Sequence, residues 1–103
     1  MKLAYYLVTA RPKKELLEEL KQKLEAGEFL GLRPFGKALS YSLERARWKD
    51  EDTAVWEEED YCTPPLAAER EAVLDRYFDR IEVESVGKGQ GWERITKLPG
   101  LFD

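Results

Sequence analysis

The chain has 103 residues, room for one domain and no second core. It holds no histidine, no asparagine and a single cysteine (Cys62), and 17 basic against 21 acidic residues leave a formal charge of −4. Those absences exclude Ser-His-Asp and Cys-His nucleophile pairs, imidazole-built zinc or haem sites and any four-cysteine metal site within one chain; proton transfer by carboxylate, Tyr or Lys and oxygen-ligated cations survive.

Leu3 to Thr9 is almost wholly apolar and reads as a strand buried on both faces, central in a sheet. Pro12 is then placed to open a helix, where its missing N–H costs nothing. Leu16, Leu17, Leu20 and Leu24 form the apolar stripe of that helix, and Gly27 is a suitable stop. Glu28 to Gly36 reads as a loop that carries Phe29, Leu30, Leu32 and Phe35 and so must lie on something. From Lys37 to Lys49, Leu39, Tyr41 and Leu43 alternate with Ala38, Ser40 and Ser42, which predicts a second strand. Asp50-Glu51-Asp52 makes a turn and Thr53 to Tyr61 returns as a third strand. A register with Arg47 opposite Glu57, Arg45 opposite Glu59 and Trp48 opposite Trp56 would suit cross-strand pairing, although it sets Glu44 against Asp60.

Thr63 is the expected N-cap of a second helix, with Pro64 and Pro65 in its first turn and a stripe of Leu66, Val73, Leu74, Tyr77, Phe78 and Ile81. Ile81 to Val86 reads as a last strand, broken by Gly87-Lys88-Gly89-Gln90-Gly91. Trp92 to Leu98 is a brief strand or turn before an apolar tail. The whole is expected to be one α+β domain over residues 1–103, a ferredoxin-like β-α-β-β-α-β plait whose antiparallel sheet carries two helices on one face. The other face of such a sheet is bare and is commonly hidden against a second subunit.

The 43% hydrophobic content is that of a folded protein, and 37% charged residues exceed the usual quarter. With no Asn and two Gln, this resembles the bias of heat-adapted proteins toward ion pairs. A lone cysteine forms no intrachain disulfide and suits a reducing compartment. The N-terminal apolar run from Met1-Lys2 is too short for a secretory leader or a membrane span, so the expected location is the cytoplasm.

Seven carboxylates lie between Asp50 and Asp60, yet they lack the alternation and glycine of a calcium loop, and consecutive Glu residues on a strand cannot all converge. They are expected to be a solvated, edge-protecting strand. Glycines 87, 89 and 91 match neither a phosphate-binding loop nor a dinucleotide fingerprint; a flexible turn is the simpler reading, with an anion contact near Lys88 only if the amides form a nest. Arg45, Arg47 and Lys49 with Trp48 and Trp56 could form a basic-aromatic surface, but the acidic neighbour strand and net charge weigh against nucleic acid. Cys62 sits beside carboxylates that disfavour a thiolate and is expected to be inert.

The candidates for an interface or lined pocket are therefore Trp48, Trp56, Trp92, Tyr41, Arg45 and Arg47. No catalytic group, cofactor or metal is expected. The expected role is a non-catalytic binding or structural domain that self-associates, as a dimer first of all, through its sheet or hairpin. The alternative is a cofactor-free enzyme or small-ligand carrier with a pocket between sheet and helices, using Tyr5, Tyr6, Tyr41 or Glu44. A third reading docks the acidic hairpin on a basic protein partner. A binding or structural module should bury its Trp residues at subunit contacts and keep its carboxylates solvated, whereas an enzyme should hold a carboxylate or Tyr of shifted pKa inside an enclosed cavity.

Overall fold

The apolar N-terminal run forms strand β1 (Ala4–Pro12), paired on both sides. The computed structural model describes residues 3–103, so Met1 and Lys2 of the leader argument lie outside the described residues. Pro12 ends the strand and a 3₁₀ turn (Lys14–Leu16) leads into α1 (Leu17–Glu25). The chain leaves α1 as expected: Gly27 takes φ 71°, its amide bonds the Leu24 carbonyl at 3.1 Å and the Glu28 amide bonds that of Lys23 at 3.0 Å. These two bonds close the Schellman motif.

The segment expected as a second strand is instead helix α2 (Gly36–Glu44), followed by a two-residue strand β2 (Arg47–Trp48). Leu39 and Leu43 are buried while Tyr41 points outward at 53% exposure. A spacing of four satisfies both the strand period and the helical one; Tyr41, which faces out, and Ser40 and Ser42, which are buried with the leucines, tell them apart. Gly36 starts α2 because a Cβ there would meet the Phe29 and Leu30 carbonyls.

Strand β3 (Ala54–Asp60) returns from the Asp50–Asp52 turn. Arg47 stands opposite Val55 and Trp48 opposite Ala54. Neither the expected Arg–Glu pairs nor the Trp48–Trp56 pair forms. The Arg47 guanidinium instead donates to the Leu98 and Thr96 carbonyls at 2.6 and 3.3 Å.

Helix α3 comprises Ala67–Glu69, a π-helical stretch Arg70–Leu74 and Asp75–Tyr77. Thr63 does not cap it. Leu66 precedes the helix at φ 62°, and its amide is bound by Asp60 Oδ2 at 2.5 Å. Phe78 and Ile81, read as the end of the helical stripe, belong to β4 (Phe78–Val86), which starts three residues earlier than expected. Trp92 lies in helix α4 (Gln90–Ile95), not in the brief strand or turn expected there.

The result is an α+β fold with a four-stranded sheet of order β2-β3-β1-β4, antiparallel throughout. Val8, Ala10, Ala54 and Trp56 face the main core with Leu20 and Leu24 of α1, Leu39 and Leu43 of α2, and Val73, Leu74 and Tyr77 of α3. Arg76 and Tyr77 of α3 bind Glu19 of α1 at 2.7 and 2.5 Å, tying the two helices. The opposite face is not bare: Leu7 and Val55 are covered by Ile95, Trp92 and Leu98. No described helix is long and apolar enough to cross a membrane.

Candidate functional site

Strand alternation decides the fate of the acidic run. Because Trp56 points into the core, Glu58 and Asp60 on the same face must follow it inward, while Glu57 and Glu59 point to the α4 side. Glu57, Glu58 and Asp60 are buried, Glu59 is half-buried, and only Asp50, Glu51 and Asp52 at the turn remain in solvent. The expected solvated edge strand is thus corrected: burial of Trp56 carries its alternate neighbours with it.

Glu57 closes the glycine loop. Its carboxylate accepts the amides of Gly89 at 2.9 Å, Gly91 at 2.8 Å and Trp92 at 3.3 Å. The loop therefore does bind an anion, and the anion is the protein's own side chain. Gly89 adopts φ 83°, where glycine is favoured, and a Cβ on Gly91 would press on Leu7 and on Glu57 itself.

This arrangement sets Trp92 over a cleft of about 450 Å³ lined by Tyr5, Lys37, Ala38, Tyr41, Ser42, Glu57, Glu59, Lys88, Gly89 and Trp92. Tyr41 and Trp92 meet edge to face with centroids 6.4 Å apart. The Arg45 guanidinium stacks 3.7 Å from the Tyr41 ring and donates to the Tyr41 carbonyl, which fixes that wall from behind. Lys37 and Lys88 are exposed at the rim and form no ion pair among the described residues.

The sequence candidates divide accordingly. Tyr41, Trp92 and Arg45 come together at the cleft. Trp56 stands apart, wholly buried against Phe78 at 5.1 Å. Trp48 and Arg47 sit on the far side with the C-terminal tail, Trp48 beneath the Lys14 ammonium at 5.9 Å. Of the polar groups named for a pocket, Tyr5 lines the cleft. Tyr6 packs on the main core, and Glu44 borders a separate hollow beside Phe102. Glu57, Lys37 and Lys88 were not legible together, because the contact joining β3 to the glycine loop spans more than thirty residues.

A second cluster joins the end of β3 to the start of α3. Ligand atoms of Asp60, Cys62 and Glu69 are within 4.8 Å of one another. Glu58 and Glu69 have no exposed surface, and Oε2 of each lacks a hydrogen-bond partner. Burial pushes the Glu58 carboxyl well above the carboxylate range, against a Trp56 indole hydrogen bond and with the Glu69 and Asp60 charges adding to it. Burial, then a hydrogen bond to Asp60, lifts Glu69 to about 7. At Cys62 the Ala68 backbone pulls the thiol down, but burial and the Asp60 and Glu69 carboxylates outweigh it, so the thiol stays above its ordinary value.

Compared with protein-family models, curated proteins and solved structures, the chain matches none.

Proposed function

We propose that this domain is a non-catalytic small-ligand binder whose ligand carries a flat ring and an anionic group. The carrying observation is the convergence of Tyr41, Trp92, Lys37 and Lys88 on one cleft of about 450 Å³. That size falls within the roughly 300–1,000 Å³ of small-molecule sites. The aromatic pair offers a surface for a ring. Glu57 is turned onto the loop amides, while Lys37 and Lys88 are exposed at the rim and offer cations to an anionic group. Trp56, wholly buried in the core, is not available to the expected interface.

Anilinonaphthalene sulfonate, a flat aromatic anion, is a suitable first probe. Calorimetry is expected to show one saturable site on the folded chain, weakened at least about tenfold by Tyr41→Ala and by Lys88→Glu. Both side chains are exposed, so folding should survive, and circular dichroism checks it. Equal affinity in both variants refutes the reading.

The fold we propose is the ferredoxin-like plait. Its support is the antiparallel order β2-β3-β1-β4, with helical crossovers from β1 to β2 and from β3 to β4. Helices α1 and α2 both fall in the first crossover, and α4 is an addition after β4. The half-buried single thiol supports a reducing, cytoplasmic setting. A homodimer is the second reading, favoured by one observation: nine-residue β4 is an edge strand with Val83 40% exposed. Light scattering across a dilution series tests it, and a monomer at every concentration removes it.

A further inference from the structure

Three metal-capable side chains meet where β3 ends and α3 begins, away from the cleft, and Glu58 precedes them on β3. Glu58 and Asp60 leave β3 on its core face, Cys62 follows in the connection, and Glu69 enters from the first turn of α3. Among the described residues no Lys or Arg pairs with any of these three carboxylates. Buried carboxylates without a cation are costly, and proteins resolve this by protonation or by a bound metal.

The hydrogen bonds distinguish the oxygens. Asp60 Oδ2 is held by the Leu66 amide at 2.5 Å and Glu58 Oε1 by the Trp56 indole at 3.0 Å. Each of these carboxylates thus has one oxygen anchored by an N–H donor, and for Asp60 this is the kind of orienting contact that stands behind a metal ligand. Glu69 Oε1 faces the Cys62 sulfur at 3.8 Å, and Glu69 Oε2 has no partner although the residue is wholly buried. Glu58 Oε2 is also buried without a partner, on the same strand face as Asp60 but outside the three-residue cluster.

We propose that Asp60, Cys62 and Glu69 are the ligands of a divalent transition-metal cation of the zinc type. Tetrahedral zinc with Zn–S of about 2.3 Å and Zn–O of about 2.0 Å separates sulfur from oxygen by about 3.5 Å. The 3.8 Å between Cys62 and Glu69 is close to that separation, whereas the widest pair in the 4.8 Å envelope would have to draw in by up to about 1.3 Å. A thiolate ligand selects zinc, cobalt(II) or iron(II) over magnesium and calcium, which take oxygen alone. The cation would cross-link β3 to α3 and take up the charge that the interior otherwise has to neutralise by protonation.

The test uses the full chain, stripped with a chelator and titrated with cobalt(II) alone. The expected result is one equivalent bound, with a thiolate-to-cobalt charge-transfer band and intense visible bands of tetrahedral cobalt, both removed by added zinc. Cys62→Ser should abolish the charge-transfer band, and Glu69→Gln should weaken binding by at least about tenfold. Glu71→Gln, an exposed carboxylate on the same helix, should leave binding unchanged. Should Glu69→Gln fail to fold, the half-buried Cys62→Ser variant carries the test through the spectrum. No cobalt or zinc binding tighter than about 1 mM overturns the proposal. Bound cobalt without a thiolate band, or affinity undiminished in both variants, overturns it as well.

Discussion

Replacing Glu57 by Ala should cost this protein a large part of its stability, because one buried carboxylate holds the whole start of α4. It accepts three backbone amides at 2.9, 2.8 and 3.3 Å. Hydrogen bonds to a charged group contribute about 1.5–3 kcal/mol each, but three on one carboxylate do not add fully. After truncation the part-buried Gly89 and Trp92 amides can turn to water, whereas the buried Gly91 amide cannot, and an orphaned buried donor costs about 1–3 kcal/mol. The expected loss is about 3 kcal/mol, equivalent to roughly 12–20 °C in Tm for a domain near 100 residues. Urea denaturation followed by circular dichroism gives the free energy, and amide exchange at Gly89, Gly91 and Trp92 locates it. Lys88→Ala, an exposed change in the same loop, should be silent in both. A Glu57→Ala loss below about 0.5 kcal/mol, with those three amides still protected, would refute the role assigned to this carboxylate.

Truncating Trp56 to Ala removes a wholly buried indole packed on Phe78 and is expected to cost about 3–5 kcal/mol by denaturation; a loss near 1 kcal/mol would place Trp56 outside the core. Gly36→Ala gains helix propensity of about 1 kcal/mol, yet its Cβ would meet the Phe29 carbonyl, so net destabilisation is expected and a stabilised variant would disprove the close approach. The Arg76 guanidinium first, and then the Tyr77 hydroxyl, hold the Glu19 carboxyl down at about 2 from an ordinary 4.5. Since the folded value is the lower one, this contribution is full above about pH 4.5 and is lost as the pH falls toward 2. The Tm gap between the natural chain and Glu19→Gln should therefore close over that window, and a gap independent of pH would contradict it.

Local chemistry determined the elements whose periodicity and punctuation agree. Leu16, Leu17, Leu20 and Leu24 followed by Gly27 read as a helix and its stop, and the structure has both. The run from Leu3 reads as a central strand and is one. The sheet's α+β character was legible for the same reason. What tertiary structure alone decided is where local signals are degenerate or distant. Leu39 and Leu43, four apart, fit strand and helix equally, and the packing of α2 on α1 and β3 chose the helix. Strand alternation from a buried Trp56 could have sent Glu58 and Asp60 inward, but nothing local says that Trp56 is buried. The Glu57 carboxylate in the glycine loop joins residues 32 and 34 positions apart. Such a contact leaves no periodicity along the chain, since only folding sets the two segments side by side. The lysines and aromatics of the cleft share that origin: each is an ordinary surface residue in sequence, and the meeting of α2, β3 and α4 makes them a site.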